Sequence, residues 1–382
     1  MIKLLHTSDW HLGKIIYGRS LLDDQRRFIF DFFLPLVAEE KPDAVIIAGD
    51  IYDKKIAPPD AIRLFDDALT ALCLDCKTRV FIISGNHDSG DRMAIGGALL
   101  SKIGLHISLR LQPPEPVTVE KDGKMADIWP IPYFEPIDMR EMLCSENIKS
   151  FEDGYREYIN LIEKKMDRRR VNIAVAHCFV KGSCVCESES PSYIGGAGEI
   201  PRELFSAFDY TALGHLHSPQ GADNVFYSGS PLKYSFDEQH QTKAILAIEI
   251  DDEVSIRRIE VKQPHDMRVL SGKFNDLLEL LKKCEDKSDY LFVSLTDEAP
   301  VFEPMARLRE YYPNLLHIDN RWINTKSAAG DDDFRLRMRQ SRVSDETVFS
   351  EFLRQICSVE PTEEDLELFA ELLKDSGEAD RI

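Results

Sequence analysis

The chain has 382 residues, 43% of them hydrophobic and 30% charged, which is enough apolar content for a large core and enough length for more than one domain. A formal net charge of −20 excludes a broad electrostatic grip on nucleic acid, which needs Lys and Arg to neutralise phosphates, unless bound divalent cations reverse the local field. Eight cysteines in so long a chain do not make a disulfide scaffold, and "MIKLLHTSDW" at the start lacks the apolar core of a signal peptide, so a soluble, cytoplasmic chain with reduced thiols and no membrane partner is expected.

Taken in order, "IKLLHTSDWH" (2–11), "DAVIIAGD" (43–50), "VFIISGNHD" (80–88), "VNIAVAHCF" (171–179) and "DYTALGHLH" (209–217) share one pattern. Each is a short, nearly continuous apolar run that changes abruptly into carboxylate, amide or imidazole. Runs of this kind suit strands buried on both faces. Between the first three lie amphipathic stretches at 21–43 and 58–75, with apolar residues at helical spacing and prolines near their ends. Strand, helix, strand, helix, strand is the grammar of a layered α/β domain, whose ligands collect where strands end. Cys73 and Cys76 form a lone CxxC and Cys184 and Cys186 a CxC; with no second pair at zinc-finger spacing they read as structural.

Farther on, "AILAIEI" and "VSIRRIEV" alternate around the acidic turn at Asp251 and Asp252, a closing hairpin that puts the end of the first domain near residue 264. Residues 265–340 then read as strand, helix, strand, helix, strand, a small α/β unit. From 341 the chain reads as two helices with apolar stripes, through Phe349, Phe352 and Ile356 and through Leu366, Phe369 and Leu373. The second opens with a capping-box pattern from Thr362 to Asp365 and has Gly377 just beyond its end.

The polar strand ends supply Asp9, His11, Asp50, Asn86, His87, Asp88, His177, His215 and His217, and so hold five of the chain's ten histidines. Carboxylate, imidazole and amide oxygen without thiolate suit Mn²⁺, Fe²⁺ or Zn²⁺. In a strand, residues i and i+2 share a side, so Asp9 with His11 and His215 with His217 are expected to face one cluster. Gly49, Gly85 and Gly214 precede Asp50, Asn86 and His215 and permit sharp turns there. Singly, each of these residues has a bland explanation as a helix cap, a turn or a satisfied core histidine. Jointly they would leave buried charges without partners, which is why a binding site is the preferred reading.

These motifs, Asp9-x-His11, Gly49-Asp50-x-x-Asp53, Gly85-Asn86-His87-Asp88, the lone His177 and Gly214-His215-x-His217, resemble in order the five motifs of the calcineurin-like metallophosphoesterase superfamily. More narrowly, "HTSDWHLG", "SGNHDS", "DYTALGHLHSPQ" and "YSGSPLKYSFDE" are similar to the SbcD nucleases, subunits of SbcCD DNA-repair complexes. The resemblance implies an α/β fold: a layered αββα metallophosphoesterase sandwich over 1–264, a small DNA-contacting capping domain over 265–340 and a C-terminal helical tail over 341–382. It implies two divalent ions, Mn²⁺ foremost, with Asp9, His11 and His217 at one, Asn86, His177 and His215 at the other and Asp50 bridging. His87 would donate to the scissile phosphate or the leaving oxygen, and Asp88 would hold its tautomer. It further implies double-strand exonuclease and single-strand or hairpin endonuclease activity. The partner would be the SMC-like ATPase SbcC, docked on the C-terminal helices in a complex of two nucleases and two ATPases.

Two other readings remain. One is a metallophosphatase acting on phosphoproteins or small phosphoesters; the superfamily's protein phosphatases carry an arginine after the second Asp of Gly-Asp-x-x-Asp, whereas Lys54 and Lys55 follow Asp53 here. The other is an adaptor for the ATPase with a vestigial metal site, against which no expected ligand is missing. Lys54, Lys55, Arg19 and Lys233 lie in loops beside ligand motifs and are candidate DNA contacts. Arg168, Arg169 and Arg170 are better read as a solvated helix end. The role of Asp53, where related archaeal and eukaryotic nucleases have a histidine, is open, and the polar loop 182–201 is read as a rim or plain surface.

Overall fold

The five apolar runs are strands, and they lack polar alternation because both their faces are covered. The computed structural model describes residues 1–88, 97–189, 198–251, 253–320, 349–350, 361–362 and 364–369. Contacts divide the chain into two compact units, Met1–Met267 and Arg268–Ile382. Much of the expected helical tail, including the stretch 351–360, lies outside the described residues.

The first unit holds two six-stranded sheets. One runs Val254–Glu260, Ala244–Ile250, Ile2–Thr7, Ala44–Ala48, Arg79–Ile83, Leu105–Ser108. Its last four strands are parallel, and the closing hairpin expected near Asp251 pairs antiparallel with Ile2–Thr7. The other runs Gln220–Ala222, Val225–Tyr227, Tyr210–Gly214, Val171–His177, Lys124–Ile131, Val117–Lys121, with a parallel centre and antiparallel edges. Three strands between 105 and 131 are absent from the sequence reading. Lys124–Ile131 carries Asp127 and Pro130, both depleted in strands. Tertiary pairing overrides that preference: Thr118 Oγ1 and Arg170 Nη1 donate to the Asp127 carboxylate at 2.6 and 3.2 Å.

The sheets stack through a shared apolar layer that includes Leu4, Ile46, Ile83, Ile128, Val175 and Ala212, all essentially without solvent exposure. At about 1.5–3 kcal/mol for each fully buried aliphatic side chain, this layer outweighs any single polar contact in the domain. On the outer side of the first sheet, Leu22–Arg27, a π-helical Phe28–Phe33 and Leu34–Glu40 run on as one helical segment, ended by Lys41 in the left-handed region. Phe28 and Phe33 of that segment and Phe65 of the helix Pro59–Thr70 all meet the buried Trp10 ring edge-on. The second sheet is covered by Pro136–Leu143 and Phe151–Glu163, the latter opened by a reciprocal capping box between Ser150 and Asp153. Tyr155 on that helix donates its hydroxyl to the His177 carbonyl at 3.2 Å, tying the outer layer to the end of a site-bearing strand. The result is the layered αββα sandwich.

The second unit is built as the sequence suggests, strand, helix, strand, helix, strand: Met267–Gly272, Phe274–Lys282, Tyr290–Leu295, Pro304–Arg309 and Leu315–Asn320. Its own core contains Phe274, Leu281, Leu291, Val293, Leu308 and Tyr312. The strand Met267–Gly272 straddles the boundary between the units, three residues past the expected end of the first domain. At Thr362 the capping box is present, with Asp365 N–H donating to Thr362 Oγ1 at 3.2 Å and Thr362 N–H to the Asp365 carboxylate at 2.9 Å.

One polar pair crosses the interior of the sandwich. His6 Nε2–H donates to the Leu213 carbonyl at 3.2 Å, so its Nδ1 accepts the Tyr210 hydroxyl at 2.9 Å. Burial disfavours the imidazolium and lowers the His6 pKa from 6.5 to about 3, although the Leu213 carbonyl favours the charged ring. Between those values the unfolded chain binds a proton that the folded chain refuses. This group therefore withdraws up to about 1.4 kcal/mol of stability per pH unit as pH falls through that window. His6→Gln keeps a donor and an acceptor but does not titrate, so its melting temperature is expected to fall less than that of the wild type between pH 7.5 and pH 5.0. Thermal melts of both proteins at the two pH values check this, and parallel shifts would contradict it.

Candidate metal centre

The parallel strands of both sheets deliver their carboxyl ends to one edge of the sandwich. Ile2–Thr7, Ala44–Ala48 and Arg79–Ile83 lead to Asp9, Asp50 and Asn86, while Val171–His177 and Tyr210–Gly214 lead to His177 and His215 in register, Gly214 opposite His177. The expectation that strand alternation aligns Asp9 with His11 and His215 with His217 is corrected here, because the strands stop at Thr7 and Gly214. Convergence comes instead from backbone reversal. Asp9, His11, Asp50 and His215 have φ of 53°, 43°, 47° and 105°, where non-glycine residues are uncommon and cost on the order of 1–3 kcal/mol each. Asp9 N–H donates to the Gly49 carbonyl and His11 N–H to the Asp50 carbonyl, both at 3.0 Å, so the two loops hold each other in that conformation. Gln25, buried, locks the same turn by donating to the Trp10 and His11 carbonyls and accepting from Gly13 N–H.

The side chains form two overlapping sets. Asp9, His11 and His217 bring ligand atoms within 4.8 Å of one another, as do Asp9, Asp50 and His177. His11 Nε2 lies 3.1 Å from His217 Nε2 and 3.6 Å from Asp50 Oδ2. On the other side, Asp50 Oδ2 is 3.4 Å from His177 Nε2, and Asn86 Oδ1 is 3.1 Å from both His177 Nε2 and His215 Nδ1. Asp50 thus stands between the sets. His177 Nδ1–H is committed to the Ala48 carbonyl at 2.9 Å, which leaves the neutral ring with a lone pair on Nε2 aimed at two oxygen acceptors. Ring nitrogens and oxygen acceptors converging in this way suit a cation among them.

Electrostatics point the same way. Burial raises the Asp9 pKa to about 6, with Asp50 adding to it and the neighbouring imidazoles opposing. Burial also works against the charge of Asp50, yet His177 and the other imidazoles hold its carboxyl well below the carboxylate range. For His177, burial opposes the charged ring and the adjacent Asp50 prevails, lifting the pKa to about 9. The chain's own remedy for clustered buried carboxylates is a proton on His177. Donor atoms 3.1–3.6 Å apart also match the edges of a coordination shell with bonds of about 2.0–2.2 Å, so imidazole, carboxylate and amide oxygens here fit divalent ions.

Glycines give this arrangement room. A Cβ on Gly85 would stand 2.1 Å from Asp50 Oδ1, and one on Gly214 would stand 1.9 Å from the Ala48 oxygen that anchors His177.

The expected pairing of Asp88 with His87 is not what the structure shows. Asp88 is 7% exposed, and its carboxylate accepts the backbone N–H groups of Gly85 at 2.9 Å, Ile51 at 3.1 Å and Tyr52 at 3.1 Å, stitching the Asn86 loop to the Asp50 loop. His87 Nδ1–H instead donates to the Asp53 main-chain carbonyl at 2.8 Å, which leaves Nε2 for the site. A carboxylate five residues past the end of the strand Arg79–Ile83 meets that turn's unpaired amides first. Half-buried His87 lies edge-on to His11, ring centres 5.0 Å apart, and groups with His11 and Asp50 within ligand distance.

Other sequence candidates resolve plainly. Lys233 is 6% exposed and pairs with Asp266 at 2.7 Å, so it does not face a substrate. Arg168, Arg169 and Arg170 pair with Glu163, Asp167 and Asp127. Lys54 and Lys55 are exposed beside Asp53, and Asp53 itself binds Lys14 Nζ at 2.9 Å. Cys73 and Cys186 are buried and Cys76 half-buried, all as free thiols. Sequence reasoning missed the groups behind His217, namely Ser188, Glu189 and Glu238; only the fold carries residues that distant to one imidazole.

A model of the calcineurin-like phosphoesterase family matches residues 2–219 of this chain, and a model described as the type 5 capsule protein repressor C-terminal domain matches residues 263–356. The chain is 31% identical over 359 residues to the SbcD subunit of the nuclease SbcCD of Staphylococcus saprophyticus subsp. saprophyticus, covering 93% of each. This chain belongs to the calcineurin-like phosphoesterases, in their SbcD branch. A crystal structure of a dimetal phosphatase from Danio rerio is also similar, at 11% identity and a TM-score of 0.41, over 69% of this chain and 99% of that one; so distant a likeness bears on neither fold nor chemistry. Among the described residues of this phosphoesterase, no helix is long and apolar enough to cross a membrane.

Because Asp88 accepts only main-chain amides among the described residues, an amide in its place turns one acceptor into a donor facing N–H groups. Asp88→Asn in this SbcD relative is expected to lower unfolding free energy by about 1–3 kcal/mol. Urea denaturation in EDTA reads this without metal, and unchanged stability would contradict the stitching role.

Proposed function

We propose that this chain is the nuclease subunit of a DNA-processing complex and hydrolyses phosphodiester bonds with two divalent ions, Mn²⁺ foremost. The observation that supports this best is the Asp50 carboxylate, whose Oδ2 lies 3.6 Å from His11 and 3.4 Å from His177 and so belongs to both donor sets. Asp9, His11 and His217 hold one ion on this reading, and Asn86, His177 and His215 the other, with Asp50 shared. When bound, such a pair supplies Lewis acidity at phosphorus and a nucleophile at neutral pH.

The protein's own part is positioning and proton transfer. His87 is tethered through Nδ1–H to the Asp53 carbonyl, so its ring keeps one orientation and Nε2 faces the place where a phosphate meets His11 and Asp50. Protonated, it donates to the developing charge on the leaving oxygen. Asp88 supports this indirectly by fixing the backbone on either side of Asp50.

The substrate assignment, double-strand ends and single-strand or hairpin DNA, rests on the SbcD relationship and on the absence of a phosphate-gripping arginine after Asp53. The partner is an SMC-like ATPase of the SbcC kind, docked on the helical sequence after residue 341, in a complex of two nucleases and two ATPases acting in the cytoplasm. Such a partner also supplies the basic surface that a chain of net charge −20 lacks.

His87→Ala is expected to lower DNA cleavage by about 10²–10⁴-fold while the protein still retains two manganese ions, measured by turnover and metal analysis on the same preparation. Loss of the ions would make His87 a ligand rather than a proton donor. Purified protein with Mn²⁺ is expected to cut hairpin DNA, and to spare a phosphopeptide offered alongside a generic phosphodiester. Rapid turnover of the phosphopeptide alone would favour a phosphatase.

A further inference from the structure

We propose that Ser188 and Glu238 form a relay that positions His217 for metal binding by holding its proton on Nδ1. The inference rests on the metal-centre reading above and concerns residues that reading does not assign.

Ser188 Oγ lies 2.6 Å from His217 Nδ1 and 2.6 Å from Glu238 Oε1. A hydroxyl has one proton to give. Glu238 and Lys243 are both essentially without solvent exposure and form an ion pair with each other, so the carboxylate is charged and only accepts. The serine proton therefore goes to Glu238, and the serine oxygen must accept from His217 Nδ1–H. That fixes the tautomer and leaves the lone pair on Nε2, the atom 3.1 Å from His11 Nε2.

The main chain of His217 is held by the same groups. Its N–H donates to Glu189 Oε1 at 2.6 Å, and its carbonyl accepts from Lys243 Nζ at 2.8 Å. Lys243 thus closes a ring from the His217 carbonyl through Glu238 and Ser188 back to the His217 side chain. The loop bearing Ser188 is itself anchored: Glu187 N–H donates to Asp237 at 2.9 Å, and Cys184 N–H donates to Gln220, whose amide donates back to the Cys184 carbonyl, both at 2.8 Å. His11, the other imidazole of this donor set, differs. Among the described residues its buried Nδ1 has no hydrogen-bond partner, and an Asp53 carboxylate oxygen is 3.8 Å away. The relay therefore orders one of two neighbouring imidazoles and leaves the other to adjust. Outer partners of this kind set ligand orientation and basicity, and their loss typically weakens metal binding 10–100-fold.

The test compares wild type, Ser188→Ala and Ser188→Thr in the full chain, with manganese titrated by calorimetry and the bound ions examined by electron paramagnetic resonance. Ser188→Ala is expected to bind one of two ions about 10–100-fold more weakly and to lose the signal of an exchange-coupled pair, while its melting temperature in EDTA stays that of the wild type. Ser188→Thr, which keeps the hydroxyl, is expected to restore both. Two ions bound by Ser188→Ala with wild-type affinity would overturn the relay, as would a threonine variant no better than alanine. Wild-type chain that takes up no manganese would overturn the metal-centre reading itself.

Discussion

The Asp50 carboxylate, 2% exposed on a residue with φ of 47°, lies between imidazoles that come from the ends of three different strands. A charge so placed costs several kcal/mol unless positive charge faces it. Much of the surrounding construction serves that demand. His87 N–H donates to Oδ1 at 2.9 Å, glycine at 85 keeps clear of the same oxygen, and the Asp50 charge raises the pKa of the adjacent His177. The strained backbone at Asp9, His11, Asp50 and His215 is held by the two-sheet core beneath, which buries far more apolar surface than four left-handed residues can offset.

A common arrangement orients three of the histidines. Each spends its outer nitrogen on a fixed acceptor and turns the inner one to the site: His177 on the Ala48 carbonyl, His87 on the Asp53 carbonyl and His217 on the Ser188 hydroxyl. Main-chain carbonyls make the first two insensitive to side-chain substitution at the acceptor position. The third passes through a hydroxyl and a buried ion pair, so it alone depends on side chains far away in sequence. Of these three imidazoles, then, two are oriented by main-chain carbonyls and one by a loop docked on the sandwich.

Charge completes the picture. Several basic residues of this unit are neutralised, Lys14 by Asp53, Lys233 by Asp266 and the arginines at 168–170 by their neighbours, while Lys54 and Lys55 beside Asp53 are exposed. In a chain of net charge −20, attraction for a polyanion is therefore concentrated where cations can be held. An acidic exterior with a cation-demanding pocket favours bringing a phosphate ester to one place over coating a length of duplex.

The sequence by itself determined which strand ends carry clustered polar side chains, because a buried apolar run followed at once by Asp, Asn or His has few explanations that leave those groups satisfied. Local periodicity also marked the layered α/β grammar, the closing hairpin and the separate small unit, whereas the αββα arrangement was implied by the family resemblance. Only the tertiary structure decided how the ligands meet. Left-handed turns past Thr7 and Gly214, and not strand alternation, aim Asp9, His11 and His215. It also decided that Asp88 serves the backbone while His87 leans on Asp53, and that Ser188 and Glu238 reach His217. The physical reason is range: alternation and propensity act over a few residues, whereas a proton's position is set by whichever acceptor folding brings within about 3 Å.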